Sequence, residues 1–510
     1  MQAPEPVPAG AGLPPLWGKI LDQSRCIGCH ACTTACKSEN EVPLSVTRTY
    51  VKYVDVGTYP EARRNFQVTR CNQCDDPPCV AACPTSAMHR RPDGIVDFDK
   101  SVCIGCKACM AACPYDAIFI NPEDHSAEKC NFCAHRLDMG LEPACVVVCP
   151  AEAILVGDLN DPTSRVSHYV NRESVTVRRP EKGTRPKVFY KSAHQATLDP
   201  IAALRPEGGL YMWSEQPAGS HEVGSGVTRE QAATVGGHPA GNTSAAAMLS
   251  YDVSHRAPWD WRVSLYTWTK GLAAGIYLAA LALGASGPGW PLLTPLLAGV
   301  FLALTGLILV ADLEHPLRFV LIFLRPQWRS WLVRGAVVIT LYGALLAAHF
   351  LLGLAGQVGT TRWLAIAGAP LAVLTAVYTA FLFAQARARD LWQSPLLAPH
   401  MLVQALLLGA AVQLLLGAPG AAWLVAAAAA LHLVFVAAES WIRHPTAHAE
   451  LAAHALTRGA YARWFWLGIA LSVFALAAPW IPLAGSVAAL LAVLAHEHAY
   501  VQAGQSVPLA

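Results

Sequence analysis

The chain has 510 residues, a formal net charge of +2, 54% hydrophobic residues and 14% charged residues. Soluble domains carry roughly 25% charged residues, so much of this chain avoids water. The near-neutral balance excludes an electrostatic nucleic-acid binder.

The length suits about three domains, and the composition separates them. All 16 cysteines lie between Cys26 and Cys149, and long apolar runs begin only near Leu265. Met1 to Leu16 has no basic stretch followed by an apolar one, so it does not read as a secretory signal. The pairs Arg63-Arg64, Arg90-Arg91 and Arg178-Arg179 are internal, which argues against a twin-arginine signal.

Four groups of four cysteines follow. Cys26, Cys29, Cys32 and Cys36 are spaced C-x2-C-x2-C-x3-C. Cys71, Cys74, Cys79 and Cys83 read C-x2-C-x4-C-x3-C-P, and Cys103, Cys106, Cys109 and Cys113 read C-x2-C-x2-C-x3-C-P. Cys130, Cys133, Cys145 and Cys149 read C-x2-C-x11-C-x3-C-P. Three thiolates on one tight loop grip three iron corners of a cube, while the fourth points along the next helix to a different cube. Soft thiolates suit iron–sulfur sites. Zinc sites use C-x2-C pairs without the third cysteine and the C-x3-C-P ending, and disulfides would need an exported protein. The reading is four [4Fe–4S] clusters, with no three-iron cluster.

The fourth-cysteine crossover also gives a pairing. Pro92-Asp93-Gly94 reads as a turn between short strands at Ala87–Arg90 and Ile95–Phe98, the interior of one two-cluster unit. Cys71, Cys74, Cys79 and Cys113 then hold one cube, and Cys103, Cys106, Cys109 and Cys83 its neighbour. By elimination, Cys26, Cys29, Cys32 and Cys149 hold a third, and Cys130, Cys133, Cys145 and Cys36 the fourth. One ferredoxin-like unit is nested inside another.

On Cys103-Ile-Gly-Cys-Lys-Ala-Cys109, Lys129-Cys-Asn-Phe-Cys-Ala-His-Arg136 and Gly157-Asp-Leu-Asn-Asp-Pro162, residues 20–160 resemble the four-cluster subunit of the bacterial molybdopterin oxidoreductases. That group includes dimethyl sulfoxide reductase, polysulfide reductase and formate dehydrogenase. The resemblance implies a wire that relays electrons between a catalytic subunit and a membrane anchor.

Residues 165–215 are polar with scattered aromatics (Phe189, Tyr190, Tyr211, Trp213) and a basic run of Arg178, Arg179, Lys182, Arg185 and Lys187. They read as an extended strap over the cluster domain, or else as a docking surface for a partner subunit. Residues 216–250, rich in Gly, Ala, Ser and Thr, read as a flexible linker. The G-x-G at Gly224 and Gly226 completes no nucleotide-binding pattern.

From Ser264, eight apolar segments fall near 264–284, 291–311, 331–355, 362–384, 399–417, 421–441, 463–480 and 482–501. A span takes about 20 residues, so the last two are short. Arg318, Arg325 and Arg329 follow segment two, Arg387 and Arg389 follow four, and Arg443, Arg458 and Arg463 follow six. The positive-inside rule then places the clusters in the cytoplasm, on the inner membrane.

Asp312-Leu-Glu-His-Pro-Leu-Arg-Phe319 lies between segments two and three, and here residues 260–500 resemble the polysulfide reductase membrane-subunit (NrfD-like) family. The resemblance implies eight helices and a quinone site near the clusters; His315 stands where the family pattern has Arg. Ionisable groups in hydrocarbon default to function. Asp312 is the expected proton donor, Lys270 or His315 the partner of a quinone carbonyl, and Arg318 the cation that keeps Asp312 ionised. The adjoining cube is expected to be one from groups one and four. His349, His432, Glu439, His496, Glu497 and His498 read as interhelical or interfacial contacts, and no haem is expected.

The fold class is an α+β ferredoxin-like iron–sulfur domain of two nested units (17–165), a strap and linker (166–257), and an all-α eight-helix transmembrane domain (258–503). The expected function is electron transfer and membrane anchoring, with quinone as exchangeable substrate and a separate molybdopterin-type catalytic partner. A redox-driven proton-translocating module is the alternative.

Overall fold

The computed structural model describes residues 13–206, 222–223, 226–234, 247–285 and 289–510. Tyr211, Trp213, Gly224, most of Met1 to Leu16 and most of the expected linker lie outside the described residues.

The cysteine half is a succession of short elements, because each ligand loop cuts in before a long helix or strand can form. In chain order they are β1 (Trp17–Asp22), α1 (Ala31–Glu39), β2 (Thr49–Val56), β3 (Arg63–Arg70), α2 (Pro78–Ala82), β4 (Met88–Arg90), β5 (Val96–Phe98) and α3 (Ala108–Ala112). β6 (Ile118–Ile120), β7 (Ala127–Lys129), α4 (Ala134–Leu137), α5 (Ala144–Val147) and β8 (Ile154–Asp158) complete it. β4 pairs with β5 across the expected turn, Met88 opposite Phe98, and β6 pairs with β7. β1, just before the first cysteine group, is antiparallel to β8, just after the fourth, with Leu21 opposite Ile154. That pairing closes the outer unit around the inner one.

The strap is woven into this domain. Its elements are α6 (Arg165–Arg172), β9 (Val175–Thr176), β10 (Val188–Lys191), α7 (Gln195–Leu198), β11 (Glu222–Val223), α8 (Arg229–Thr234), β12 (Ala247–Tyr251) and β13 (His255–Arg256). β10 runs parallel to β1, with Lys19 opposite Val188. β12 adds to the β2–β3 hairpin, with Leu249 opposite Val54 and fully buried. The end of the expected flexible linker is therefore a sheet strand. The basic run is no free docking surface either: Arg178, Arg179 and Lys187 are buried, and Lys182 pairs with Asp390 of the membrane half. Arg178 donates to the Leu509 carbonyl, so this run ties the two halves together.

The membrane half comprises α9 (Trp261–Ala282), α10 (Leu293–Ala311), α11 (Leu321–Leu324), α12 (Trp331–Leu354), α13 (Val358–Gln385), α14 (Leu397–Leu415), α15 (Ala421–Trp441), α16 (Ala447–Thr457), α17 (Ala462–Ala475) and α18 (Pro482–Gln505). Each of the eight expected segments is one helix, while α11 and α16 are short connections on the cluster side. Six of the helices (α10, α12, α13, α14, α15 and α18) are long and apolar enough to cross a membrane. α17 has 14 residues, and α9 carries Arg262 and Lys270 along with several Ser and Thr. α9 and α14 cross at two glycines: a Cβ on Gly275 would lie 1.8 Å from the Ala405 carbonyl oxygen, and one on Gly409 1.8 Å from that of Gly275. Small residues permit such backbone contact between membrane helices.

Exposed tryptophans mark two levels. Trp363, Trp423 and Trp480 sit at the ends remote from the clusters, and Trp261, Trp328, Trp441, Trp464 and Trp466 at the near ends. Aromatic belts at both interfaces are the signature of a bilayer-spanning bundle.

Candidate iron–sulfur and quinone sites

None of the sixteen cysteines forms a disulfide. One small cavity is lined by Cys26, Cys29, Cys32 and Cys149, and another by Cys83, Cys103, Cys106 and Cys109. Each therefore gathers three cysteines of one group and the fourth of another. Cys36 faces Cys130, Cys145 and Cys133, and Cys79 faces Cys71, Cys113 and Cys74. Four soft thiolates per site is the donor set of a cubane. The four sets adjoin in a line: Cys32 neighbours Cys145, Cys71 neighbours Cys130, and Cys109 neighbours Cys79. One end of the line is open to solvent at the exposed Cys29, amid exposed Ile27, Val147 and Val148.

The other end meets the membrane half, and here a correction is needed. The set closest to the helices is Cys83, Cys103, Cys106 and Cys109, not one from groups one and four. The Ser330 hydroxyl donates to the Ala82 carbonyl at 2.8 Å and the Gln327 amide to that of Pro84 at 2.9 Å. The His315 amide donates to the Ile104 carbonyl at 3.2 Å, and the Trp259 indole to that of Cys106 at 3.3 Å. Gly105 packs so closely that a Cβ would lie 2.4 Å from Glu314 Cβ. Sequence order misled because the inserted unit is outermost in space on this side: the loop between α10 and α12 grips both of its ligand loops.

The four expected quinone-site residues divide. Arg318 donates to the carbonyls of Lys100 (2.9 Å) and Cys103 (3.0 Å), so it docks the cluster domain and does not hold the Asp312 carboxylate. His315 lies beside His125 of the cluster domain, with ring centroids 6.5 Å apart. Asp312 caps α10, its Oδ1 buried without a hydrogen bond and 3.7 Å from Lys107 and 3.9 Å from Arg262. Burial outweighs those cations and raises its carboxyl to about 6, so it titrates near neutral pH.

Lys270 lies deeper, nine residues or about 14 Å along α9. Its ammonium donates to Thr379 Oγ1 at 2.7 Å and the Ala376 carbonyl at 2.9 Å, sits over the Tyr378 ring, and faces Glu497. Tyr266 bridges the two levels, bonding Thr379 and facing both Asp312 and Glu497. A buried polar array thus runs from Asp312 to Lys270 and Glu497. Composition hid Tyr266 and Thr379, because a hydroxyl does not interrupt an apolar segment.

His400, one turn into α14, was not singled out by sequence. Its Nδ1 lies 2.8 Å from Glu439 Oε2 and its Nε2 2.9 Å from His432 Nδ1, while its ring lies 5.2 Å from that of His496. His432, Glu439 and His496 are thus interhelical contacts across α14, α15 and α18. In the remote half, the Tyr277 hydroxyl lies 3.2 Å from His349 Nδ1.

Comparison with known proteins bears on both halves. The family Polysulphide reductase, NrfD matches residues 250–506. A 4Fe-4S dicluster domain matches residues 62–159 and a 4Fe-4S binding domain residues 17–38. A subunit of the tetrathionate reductase of Salmonella typhimurium is 43% identical over 193 residues, covering 36% of this chain and 76% of that protein. A component of the polysulfide reductase of Wolinella succinogenes is 42% identical over 176 residues, covering 34% and 92%. The arsenate respiratory reductase iron-sulfur subunit ArrB of a Shewanella species is 36% identical over 221 residues, covering 34% and 94%.

Proposed function

Since the protein belongs to the polysulphide reductase NrfD family, joined here to a ferredoxin-type half like the iron–sulfur subunits of respiratory reductases, we propose that it passes electrons between a separate molybdopterin-type subunit and quinone. The observation that carries the reading is the line of four cysteine sets, open at Cys29 and ending against the membrane bundle beside Asp312. The apolar residues around Cys29 are where a catalytic subunit would cover the exposed end. When bound, the clusters supply one-electron relay; the thiolates hold them in the order the cysteines adjoin.

The residues of the chain do the rest. A quinone needs two protons with its two electrons, and Asp312, with a carboxyl raised to about 6, can give or take one near neutral pH. Lys107 and Arg262 stand near enough to compensate its charge once the proton has left. Lys270, held by Thr379, offers an ammonium for a quinone oxygen. The cytoplasmic placement of the clusters is supported by exposed Arg443, Arg458 and Arg463 on the cluster side.

A second reading, a proton-translocating module, draws on buried polar groups in both halves of the bundle: the His400–Glu439 pair near the clusters and Tyr277–His349 remote from them. Reconstituted vesicles separate the two. Quinol turnover that acidifies or alkalinises the lumen beyond the scalar protons of the reaction favours the second.

The test of the first reading is analytical. Anaerobically purified protein should hold about 16 iron and 16 acid-labile sulfide per chain, and a quinol analogue should reduce them. Stoichiometric zinc in place of iron, or iron that quinol cannot reduce, would refute it.

A further inference from the structure

Two fully buried cations converge on one cysteine. Lys19 is 0% and Arg70 1% exposed. The Arg70 guanidinium donates through Nη1 to Cys145 Sγ at 3.1 Å, and the Lys19 ammonium to the same sulfur at 3.7 Å. Two of the other three ligands of that set share a donor, since Asn40 Nδ2 lies 3.7 Å from both Cys36 Sγ and Cys133 Sγ. Neither cation meets a carboxylate among the described residues, and Arg70 Nε and Nη2 have no hydrogen-bond partner. An uncompensated buried cation is costly, so an arginine placed like this needs an anion. The thiolate-bound site it faces is the anion at hand.

The other three sets lack this arrangement. Cys149 and Cys71 receive backbone amides at 3.2 and 3.4 Å, and Cys83 and Cys103 receive them at 3.4 and 3.5 Å. Lys129 and Lys187 bring positive charge near Cys71, Cys74 and Cys79, but neither donates to a sulfur: Lys129 bonds the Val96 and Cys130 carbonyls and Lys187 has no hydrogen-bond partner. Lys107 is engaged by Glu314 at 3.0 Å.

We infer that Lys19, Arg70 and Asn40 make the cluster held by Cys36, Cys130, Cys133 and Cys145 the most readily reduced of the four, the station where an electron rests between the exposed end and the membrane end. Reduction adds one electron and one negative charge to a thiolate-bound cube. Donors to the sulfurs and nearby positive charge stabilise the added charge and raise the potential, and in a buried setting solvent screens that effect little. This rests on the proposal that the sixteen cysteines hold clusters, which the iron count above tests separately.

The experiment is a potentiometric titration of the full-length protein followed by paramagnetic resonance. In the native protein one signal should appear before the rest, and Cys145→Ser should alter that signal. Lys19→Met should shift its midpoint to lower potential and leave the other three in place; Lys19→Arg should restore most of the shift. Asn40→Leu, which removes a neutral donor from two different sulfurs, should lower the same midpoint and keeps the test open if Lys19→Met fails to retain iron. An unmoved midpoint in an iron-replete variant, or a first signal insensitive to Cys145→Ser, overturns the inference.

Discussion

Lys107 and Asp312 meet across the seam between the cluster domain and the membrane bundle, the ammonium 3.7 Å from the Asp312 carboxylate and 3.4 Å from its carbonyl. Lys107 lies between Cys106 and Cys109, so the last set of thiolates and the buried acid occupy one address. Asp312→Asn keeps the shape and removes the proton. It should leave iron content intact and lower turnover with a quinol analogue about 100-fold, the usual scale for a general acid–base group. The pH dependence has a definite sign. Burial raises the carboxyl from 3.8 to about 6, so it is protonated below that value and ionised above it. Quinol oxidation needs the ionised form to accept a proton, so its rate should climb as pH rises through about 6. Quinone reduction should fall over the same interval. The same shift means that Asp312 costs stability progressively as pH rises from about 4 through about 6, between its unfolded and folded values, because ionising it in the folded protein is disfavoured. A wild-type rate in Asp312→Asn would move the search to Lys270 and Glu497.

Ligand crossover has a spectroscopic consequence. Cys83 lies in the second cysteine group but lines the cavity of the third with Cys103, Cys106 and Cys109. Cys83→Ser and Cys103→Ser should therefore perturb the same paramagnetic signal. Perturbation of two different signals would refute the pairing.

The crossing of α9 and α14 sets a stability prediction. A methyl on Gly409 would sit 1.8 Å from the Gly275 carbonyl oxygen, which no side-chain rotation relieves. Gly409→Ala should therefore cost more than the roughly 1–3 kcal/mol of ordinary overpacking, and lower the yield of detergent-stable protein. Gly299, on α10 with nothing within 4 Å of a Cβ, is the control. Gly299→Ala should be neutral or slightly stabilising, since Ala is the better helix former. Equal behaviour of the two variants would contradict the crossing.

Much of this was legible in sequence because it is carried by local spacing. C-x2-C loops, the turn at Pro92-Asp93-Gly94 and eight apolar segments each depend on residues close in the chain, and all recur in the structure. What failed was what long-range packing decides. Chain proximity pairs Arg318 with an acid six residues away, whereas the fold carries it to the Cys103 carbonyl. Chain order points to groups one and four as nearest the membrane, whereas the inserted unit is the one that docks. Lys19 and Arg70 gave no signal because a buried cation and a surface one look alike in sequence. His400 carries no signal in sequence because one polar residue near a helix start is common; its meaning comes from Glu439 and His432 on another helix.

Orientation in the membrane is the last prediction, and the structure changes its basis. Several of the arginines behind the charge bias have structural duties. Arg318 holds Cys103, Arg387 pairs with Asp76 at 2.9 Å, and Arg389 donates to the carbonyls of Gln505 and Val507. Those contacts would place arginines on the cluster side whichever compartment it faced. Arg325, Arg329, Arg443, Arg458 and Arg463 remain, all exposed on that side, and the rule then rests on them. Where a topology reporter is inserted matters too. Lys52 donates to the Ala510 carbonyl at 2.9 Å and residues 507–510 are buried, so a fusion after Ala510 would pry the domains apart. Gly356, in the exposed turn between α12 and α13, and Gly140, after α4, both have free space around them. They lie on opposite sides of the membrane. A phosphatase active only in the periplasm should work when inserted after Gly356 and stay silent after Gly140. A fluorescent protein that folds only in the cytoplasm should report the reverse. The opposite pattern with both reporters would put the clusters outside and leave the five exposed arginines without a topological role.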